Sequence, residues 1–441
     1  MRLLAAATGF LLAAAGATTT VSAAPVLMIS VDGLRPADII DTSRGVDAPN
    51  LRRMMTAGAY ATGIVGILPT LTYPSHTTLI TGVAPARHGI GNNISFDPLN
   101  INQVGWQWYA ADIRVPTLWS AARAGKLTTL SVHWPVSVAA PVDFNLPQIW
   151  RTGHADDRKL LGALATPGLL DSLEPSLGVY PQGIDESVEA DEARVGFAVA
   201  LIAAKKPALT TVYLASVDHI EHQFGPGTPE ARAVIARNDA MIGRLVAAAR
   251  AAEPDVTVVV VSDHGFASVT TDVNLYAPFI AAGLIGFGPE GKIARWEAEP
   301  WLMGGSAGIV LARPDDVALI AKVSTLLGKL AADPAMGIAR VIDRTEVARR
   351  GGASEASFMI ELKAGFETGR DPAAAKAIPS TYKGMHGYFP DRQEMGSSLF
   401  VDGPSLSRRG NLGEVDMRSI APSVAHILGV RLDTAEMPRA F

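Results

Sequence analysis

Six side chains in this sequence, three aspartates and three histidines, have the types and spacing of metal ligands. They are Asp32, Asp218, His222, Asp263, His264 and His386. His222 follows Asp218 by four residues, Asp263 and His264 are adjacent, and His386 stands in a turn between small residues. Mixed histidine and carboxylate ligation in a chain without cysteine suits zinc better than manganese or iron. Each aspartate alone could instead cap a helix, but the six together favour a metal centre.

The three aspartates follow segments that are predicted to be buried strands. These segments, at residues 26–31, 209–215 and 256–262, are rich in apolar and β-branched residues. Helical patterns at 48–57, 115–125, 189–204 and 229–252 alternate with the strands, which predicts a mostly parallel sheet flanked by helices. Because the carboxyl ends of parallel strands meet at one edge, the aspartates are expected to converge there. Three like charges in one cleft require cations between them.

The segment Leu68-Pro-Thr-Leu-Thr-Tyr-Pro-Ser-His76 would bring a hydroxyl to this edge. Pro74 is suited to a first helical turn, so Thr72 is expected just ahead of a helix that runs to Thr81. The amino end of a helix attracts anions through its free N–H groups and its dipole. Thr72 could also be only a cap. In the glycine-rich loop that follows, Asn92 or Asn93 could donate to an oxyanion or be a turn residue.

The remaining sequence sets the predicted domain boundaries. Residues 268–380 carry scattered Gly and Pro with weaker strand signals, and they are predicted to be an inserted subdomain within a core of residues 24–267 and 381–441. Residues 135–185 are irregular and are predicted to be a surface excursion. Trp106, Trp108 and Tyr109 could be a core cluster or the wall of a cleft. His76, His88 and His219 are interpreted as structural or supporting residues.

Composition and the first residues indicate the compartment and exclude some partners. A net charge of −5 over 441 residues gives no basic footprint for duplex nucleic acid or an anionic membrane. Residues 1–23 carry one early positive charge, an apolar run and a small-residue cleavage pattern, which predicts a signal peptide and export to the periplasm or medium. A retained N-terminal anchor is the alternative. After cleavage no stable membrane insertion is expected.

Seven short motifs resemble, in order, those of the nucleotide pyrophosphatase/phosphodiesterase family of the alkaline phosphatase superfamily. They are Val31-Asp-Gly-Leu-Arg35, Pro69-Thr-Leu-Thr-Tyr-Pro-Ser-His76, His88-Gly-Ile-Gly-Asn-Asn93, His133-Trp-Pro135, Asp218-His-Ile-Glu-His-Gln-Phe-Gly-Pro226, Ser262-Asp-His-Gly265 and His386-Gly-Tyr388. The resemblance spans most of residues 26–430. It implies an alkaline-phosphatase-like α/β core with a mostly parallel central sheet, plus the insertion.

The resemblance also implies roles for particular residues. It implies two Zn²⁺ ions per chain, one held by Asp218, His222 and His386. The other would be held by Asp32, Asp263 and His264 and bridged to Thr72 as the nucleophile. It makes Asn93 the oxyanion donor and Tyr73 an aromatic that stacks on a nucleobase. Two departures from the family pattern are Phe266, interpreted as packing, and Ser216-Val217, which alters the approach to Asp218.

The predicted function is therefore a two-zinc hydrolase that cleaves phosphodiester or pyrophosphate bonds of small nucleotide substrates through a threonyl-phosphate intermediate on Thr72. Two enzymatic alternatives share the scaffold: a phosphonoacetate-type phosphonate hydrolase and a glycerophosphodiester or phospholipid phosphodiesterase, whose choline group an aromatic could bind. A third alternative is a catalytically inactive binding protein.

Overall fold

A mostly parallel sheet of eight strands is the centre of the part of the chain that the structure describes. The structure is a computed structural model, and it describes residues 23–99, 101, 105–150, 154–289 and 291–441. The predicted signal peptide therefore lies outside the described residues except for its last position. None of the helices formed by the described residues is long and apolar enough to cross a membrane.

The strands and helices have the following bounds. The strands are β1 Val26–Val31, β2 Ala59–Tyr60, β3 Gly63–Val65, β4 Thr129–Val132, β5 Phe144–Leu146, β6 Leu209–Leu214, β7 Thr257–Val261, β8 Ala267–Val273, β9 Ile285–Phe287, β10 Ile293–Trp296, β11 Ala298–Leu302, β12 Ser306–Leu311, β13 Ile338–Asp343, β14 Ala356–Leu362, β15 Gly365–Thr368, β16 Ala377–Pro379, β17 Gly384–Met385, β18 Leu399–Asp402, β19 Gly410–Asn411 and β20 Glu414–Asp416. The α-helices are α1 Pro36–Ile40, α2 Pro49–Ala57, α3 Thr72–Thr81, α4 Pro85–His88, α5 Leu118–Ala124, α6 Asp157–Leu164, α7 Leu169–Leu177, α8 Val188–Lys205, α9 Ser216–Phe224, α10 Pro229–Ala252, α11 Tyr276–Ala281, α12 Val317–Ala332, α13 Arg344–Arg349 and α14 Ile420–Ile427.

The central sheet has the order β19-β2-β18-β7-β1-β6-β4-β5. Strand β1 pairs in parallel with both β6 and β7, so the three strands predicted to end in aspartates are direct neighbours. Within this sheet β18 runs antiparallel to its partners β7 and β2, whereas the other described pairs are parallel. The predicted convergence of the strand ends at one edge is confirmed.

Alternate residues of the central strands supply two separate apolar cores. In β1, Leu27, Ile29 and Val31 face one cluster, which also contains side chains of α2, α8 and α10. Val26 and Met28 face the other cluster, with side chains of α3, α5 and α14. This alternation follows from the two-residue period of a strand. The sheet is thus covered by helices on both faces, as a parallel sheet requires.

The predicted insertion forms its own sheet beside the core. Strands β11, β12, β14 and β13 pair antiparallel in that order, and helix α12 packs against them through Val323 and Leu327. Met385 and Tyr388, which the sequence-based boundary places in the core, belong to the same apolar cluster. Between β14 of this second sheet and β18 of the central sheet, the chain forms β15, β16 and β17, which all pair with β8, and His386 directly follows β17.

Candidate active site

The structure brings the three predicted aspartates and three predicted histidines together at the carboxyl edge of the central sheet. Asp32 directly follows β1, Asp263 follows β7 after one residue, and Asp218 lies in α9 just beyond β6. His386 follows β17, which pairs with β8, so it stands beside the Asp263-His264 segment that precedes β8. All six side chains are buried or nearly so.

Asp218 and His222 belong to a helix that sequence reasoning missed. Helix α9 spans Ser216–Phe224, so the two residues are one turn apart on the same face. His222 Nε2 lies 3.4 Å from Asp218 Oδ2. The buried carboxylate of Asp191 accepts a hydrogen bond from Ser216 N at 2.8 Å, at the amino end of this helix. The unusual Ser216-Val217 approach is thus held by a carboxylate from a different helix.

The three histidines are oriented by main-chain carbonyls. His222 Nδ1 is 2.9 Å from Gly384 O, His264 Nδ1 is 3.2 Å from Gly265 O, and His386 Nδ1 is 3.1 Å from Thr70 O. Carbonyl oxygens only accept hydrogen bonds, so each Nδ1 carries the proton and each Nε2 presents a lone pair. Such an arrangement is typical of histidines that bind a metal through Nε2.

The carboxylates leave matching oxygen atoms free. Asp32 Oδ1, Asp218 Oδ1 and Asp263 Oδ2 are buried and have no hydrogen-bond partner. The opposite oxygens of Asp32 and Asp263 are engaged, since Tyr213 Oη donates to Asp32 Oδ2 and Gly33 N donates to Asp263 Oδ1 at 3.2 Å. Buried polar atoms without partners are costly, and cations bound among these side chains would satisfy the three oxygens. The donor set therefore fits metal ions.

The geometry forms two groups of potential ligands. Asp32, Asp263 and His264 form one, and Asp218, His264 and His386 form the other, with the ligand atoms of each within 4.8 Å of one another. His264 belongs to both groups because its ring stacks on that of His386 at 3.7 Å between centroids. His222 is outside the second group by this criterion, although its Nε2 contacts Asp218. The first group coincides with one predicted ligand set. The second group shares Asp218 and His386 with the other predicted set, but contains His264 in place of His222.

The electrostatics of the cluster fit a bound dication. Burial, then repulsion from Asp263 and Asp218, raises the pKa of Asp32 well above its usual value. Burial also raises the pKa of Asp263 to about 7. Burial lowers the pKa of His386 to about 4 and, with repulsion from His386, lowers the pKa of His264 further below its ordinary range. Neutral imidazoles and crowded carboxylates are the state that a metal ion would stabilise.

Thr72 is the first residue of helix α3, whereas the sequence analysis predicts it just ahead of the helix. Its Oγ1 lies 3.4 Å from His264 Nε2, and the residue is 8 % exposed. His76 Nδ1 donates to Thr72 O at 2.7 Å, and its Nε2 accepts from Ser30 Oγ at 2.8 Å. Burial lowers the pKa of His76 to about 3, so it stays neutral in this role. His76 is thus a support for the Thr72 backbone.

The two candidate asparagines have different surroundings. Asn92 is 4 % exposed, donates to Leu302 O at 3.1 Å and accepts from Asn93 N at 2.7 Å, so its amide joins the loop to the second sheet. Asn93 Oδ1 accepts from Tyr73 N at 2.9 Å at the start of α3. Because this bond engages only the oxygen, the Nδ2 group of Asn93 can donate to a ligand in the cavity that Asn92 and Asn93 line. The structure therefore favours Asn93 over Asn92 as a donor.

A cavity of about 820 Å³ opens from the cluster. Many of its lining residues come from segments in which sequence reasoning found no site, the excursion and the insertion. They include Gln148, Trp150, Tyr276, Glu299, Trp301, Glu367 and Arg370, and Glu186 and Tyr382, just outside these segments, line the cavity as well. Tyr73 also lines the cavity but is only 1 % exposed, with Trp106 packed edge-on against it at 5.4 Å. Trp106 stacks on Trp150 at 5.0 Å, and this pair is more accessible than Tyr73.

Phe266 packs among the clustered histidines, as the sequence interpretation expects. Its ring centroid lies 4.9 Å from that of His222, 5.4 Å from that of His386 and 6.0 Å from that of His264. The ring also lies 3.0 Å from the position that a side chain at Gly33 would occupy. Phe266 therefore helps to hold the three imidazoles without offering a ligand atom.

Comparison with known proteins agrees with this geometry. The family model described as type I phosphodiesterase / nucleotide pyrophosphatase matches residues 26–315. An uncharacterized pyrophosphatase/phosphodiesterase of Schizosaccharomyces pombe is 27 % identical over 263 residues, which are 58 % of this chain and 47 % of that protein. Human ectonucleotide pyrophosphatase/phosphodiesterase family member 5 is 27 % identical over 58 % of this chain and 48 % of its own length. The chain thus spans about half the length of these curated relatives.

Solved structures show the same fold. The structure of human ectonucleotide pyrophosphatase/phosphodiesterase 5 superposes with a TM-score of 0.66 at 18 % identity, covering 94 % of this chain and 96 % of that one. The murine protein, in an inactive form in complex with AMP, superposes with a TM-score of 0.65 at 18 % identity over 94 % of this chain and 96 % of that one. The predicted alkaline-phosphatase-like α/β fold is confirmed, and the family match over residues 26–315 means that the chain belongs to the type I phosphodiesterase/nucleotide pyrophosphatase family.

Proposed function

We propose that this protein hydrolyses phosphodiester or pyrophosphate bonds of small nucleotide substrates, with Thr72 as the nucleophile and two zinc ions as cofactors. The observation that carries the proposal is the position of the Thr72 hydroxyl. It lies at the amino end of α3, 3.4 Å from His264 Nε2, and His264 belongs to both groups of potential ligands.

The six clustered side chains would hold the metal ions. Asp32, Asp263 and His264 form one proposed site, with Thr72 beside it. Asp218, His222 and His386 form the other, since His222 Nε2 is within 3.4 Å and His386 Nε2 within 3.5 Å of Asp218 carboxylate oxygens. Bound metal ions supply Lewis acidity that favours the ionised form of a nearby hydroxyl and offsets charge on phosphoryl and leaving oxygens.

Thr72 would carry out the covalent step. Its Oγ1 attacks phosphorus and forms a threonyl-phosphate ester that keeps the other ester arm of the substrate, its proton passes to solvent, and the bond to the leaving alkoxide or phosphate breaks. Water then attacks the same phosphorus, which releases the second product and restores the hydroxyl. The hydrogen bond from His76 to Thr72 O fixes the backbone of the nucleophile during both steps.

Charge on the transferred phosphoryl group would be met by donors that are already in place. Asn93 Nδ2 faces the cavity because its Oδ1 is fixed by Tyr73 N. The amino end of α3 adds the positive end of a helix dipole. Donors that do not have to reorient during the reaction are worth more than flexible ones, because the cost of ordering them was met on folding.

The aromatic part of the cavity supports a nucleotide substrate. Trp106 and Trp150 stack parallel to each other beside Tyr73, and aromatic faces of this kind stack on nucleobases. The murine structural relative was solved in complex with AMP. We therefore propose that the base lies against Trp106 or Trp150, while the edge-on contact of Tyr73 holds the Trp106 ring in position.

Export to the periplasm or the medium is proposed from the composition of residues 1–23, with cleavage after Ala23. The intact mass of protein recovered from the periplasm or medium tests this proposal. A mass that retains Met1 and Arg2 would contradict it and indicate an anchored or unprocessed chain.

A substrate panel tests the proposed reaction. Zinc-loaded protein is assayed with 4-nitrophenyl esters of nucleoside monophosphates, bis-nitrophenyl phosphate, nitrophenyl phosphocholine and phosphonoacetate. The proposal expects turnover of the first two and, after acid quenching, a Thr72 peptide that carries the phosphoryl group with the remaining ester arm of the substrate. Preference for phosphonoacetate would instead indicate a phosphonate hydrolase, and absence of all turnover with stoichiometric zinc would indicate a binding protein.

A further inference from the structure

The wall that the insertion gives to the cavity contains a carboxylate that the proposed reaction does not use. Glu299 is in strand β11, it is only 6 % exposed, and it lines the same cavity as Thr72. Its Oε2 is buried without a hydrogen-bond partner. Leaving such an atom unpaired costs stability, so its retention in a cavity wall points to a partner that arrives with a ligand.

Glu299 shares its face of strand β11 with an aromatic residue that packs against further aromatic rings. Because side chains alternate along a strand, Glu299 and Trp301 lie on the same face of β11, and both line the cavity. Trp301 Nε1 donates to Ile94 O at 3.1 Å, which fixes the indole ring. The ring of Phe96 lies 5.9 Å from that of Trp301 and 5.3 Å from that of Trp296. Aromatic faces next to a carboxylate are a favourable environment for a cation.

The chain does not supply that cation from the residues that the structure describes. No ion pair of Glu299 occurs among them, and the neighbouring charge that acts on Glu299 is the carboxylate of Asp97. Burial and then Asp97 raise the pKa of Glu299 to about 7. Two basic side chains that line the cavity interact with other carboxylates. His219 pairs with Glu186 at 3.4 Å, and the charge of Arg370 lowers the pKa of Glu367.

We propose that Glu299, with Trp301 beside it in the cavity wall, binds a protonated primary amine carried by one ester arm of the phosphodiester substrate. This inference rests on the proposed phosphodiesterase function and specifies its substrate class. An ammonium group supplies both the charge that the aromatic faces attract and the N–H donor that Oε2 lacks. A quaternary ammonium group has no N–H and would leave Oε2 unpaired, so a primary amine is expected to bind better.

The proposal is tested by the binding of symmetrical diesters. Because both ester arms carry the same group, the test does not depend on which arm reaches Glu299. Dissociation constants of bis(2-aminoethyl) phosphate, bis(2-hydroxyethyl) phosphate and the trimethylammonium analogue of the first are measured by calorimetry on the zinc-loaded Thr72→Ala protein. We expect the primary amine to bind about ten-fold more tightly than the alcohol, as a charge-assisted hydrogen bond would give. We also expect it to bind several-fold more tightly than the quaternary analogue.

Two neighbouring glutamates provide a matched comparison. Glu299→Gln, made in the Thr72→Ala background, should reduce the amine-to-alcohol ratio to near one, and Glu299→Met should do the same. Glu297 is two residues away and is paired with Arg313 and Lys322, so Glu297→Gln should keep the ratio. An unchanged ratio in Glu299→Gln, or equal binding of the amine and its quaternary analogue, would overturn the proposal.

Failure of this inference and failure of the proposed function have different signatures. Hydrolysis of bis-nitrophenyl phosphate by the zinc-loaded wild-type protein reports on the reaction and involves no amine. If that hydrolysis occurs and the amine ratio is one, the amine site is wrong and the phosphodiesterase remains. If the ratio is ten and the hydrolysis is absent, the amine site remains and the proposed reaction is wrong.

Discussion

Two regions that surround the same cavity are built in different ways. The strand-end edge, comprising Asp32, Asp218, Asp263 and His264, lies where β6, β1 and β7 finish, and backbone groups hold the side chains of Asp263 and His264. The outer wall, comprising Trp106, Trp150, Glu299, Trp301 and Glu367, comes from loops, from the second sheet and from β15, which pairs with β8. The edge concentrates charge and potential ligands, whereas the wall presents aromatic surface and carboxylates from the insertion. We infer that the edge determines the reaction and the wall determines which substrate enters.

The largest expected effect is the loss of the proposed nucleophile, Thr72, which lies beside the edge. Thr72→Ala should lower kcat for bis-nitrophenyl phosphate by about a thousand-fold or more, because catalysis by positioned charge alone is weak without the covalent step. Zinc content and the melting temperature should stay close to wild type. Steady-state kinetics and elemental analysis measure both.

Controls for this variant follow from the structure. Thr72→Ser should keep part of the activity, since it retains the oxygen and loses only a methyl group that restricts the rotamer. Thr81→Ala lies at the other end of the same helix and should remain active. Thr70 is a poorer control, because its Oγ1 donates to Tyr388 O and its carbonyl accepts from His386. A Thr72→Ala protein with near wild-type turnover would mean that water attacks the substrate directly.

The next effect is the loss of a ligand from the edge. Asp263→Asn should reduce bound zinc from about two ions per chain to about one and lower kcat by about a hundred-fold or more for every substrate, since a carboxamide binds zinc weakly. Elemental analysis of protein purified without chelator measures the metal. Asp255 precedes the same strand at its other end and is exposed, so Asp255→Asn should keep both ions. Full zinc content in Asp263→Asn would remove Asp263 from the ligand set.

The edge could be predicted from the sequence and the wall could not, for a physical reason. Asp32, Asp218 and Asp263 each follow a strand recognisable from a short apolar run, and neighbouring parallel strands bring their ends together by a general rule. Glu299 and Trp301 reach the cavity only because the second sheet packs on the loop at Asn92, through bonds between residues 210 positions apart. No local pattern marks that contact. Helix α9 was missed because it is short. It lies between a strand and a turn glycine and includes two metal-ligand candidates, so too few residues remain to show a helical period.

Substitution in the aromatic part of the wall should separate binding from chemistry. Trp106→Ala should raise KM for a nitrophenyl nucleotide by about ten-fold, because stacking on a base contributes about 1–3 kcal/mol. The kcat and the KM for bis-nitrophenyl phosphate should change much less. Tyr109 is 48 % exposed, so Tyr109→Ala is a suitable control. A fall in kcat for both substrates would mean that Trp106 affects the reaction itself, as the edge does, and would contradict the inferred division between edge and wall.

The smallest expected effect concerns stability rather than turnover. Glu367 in β15 lines the wall and is 3 % exposed, and burial raises its pKa to about 8, although a hydrogen bond from Ser380 opposes the shift. In the unfolded chain a glutamate titrates near pH 4.3. The folded state therefore holds this proton more tightly than the unfolded state. As pH rises from about 4.5 to about 8, Glu367 should reduce the free energy of unfolding.

The substitution Glu367→Gln removes this titration while keeping an acceptor for Ser380. The melting temperature of the zinc-loaded variant, relative to zinc-loaded wild type, should therefore rise between pH 5 and pH 8.5, by an amount that corresponds to about 1–2 kcal/mol. Glu355 is exposed, and Glu355→Gln should show no such trend. A difference that stays constant with pH would mean that Glu367 is ionised in the folded protein throughout this range. The wall would then hold a permanent negative charge at this point, and Arg370, whose charge already lowers the pKa of Glu367, would be the group that stabilises it.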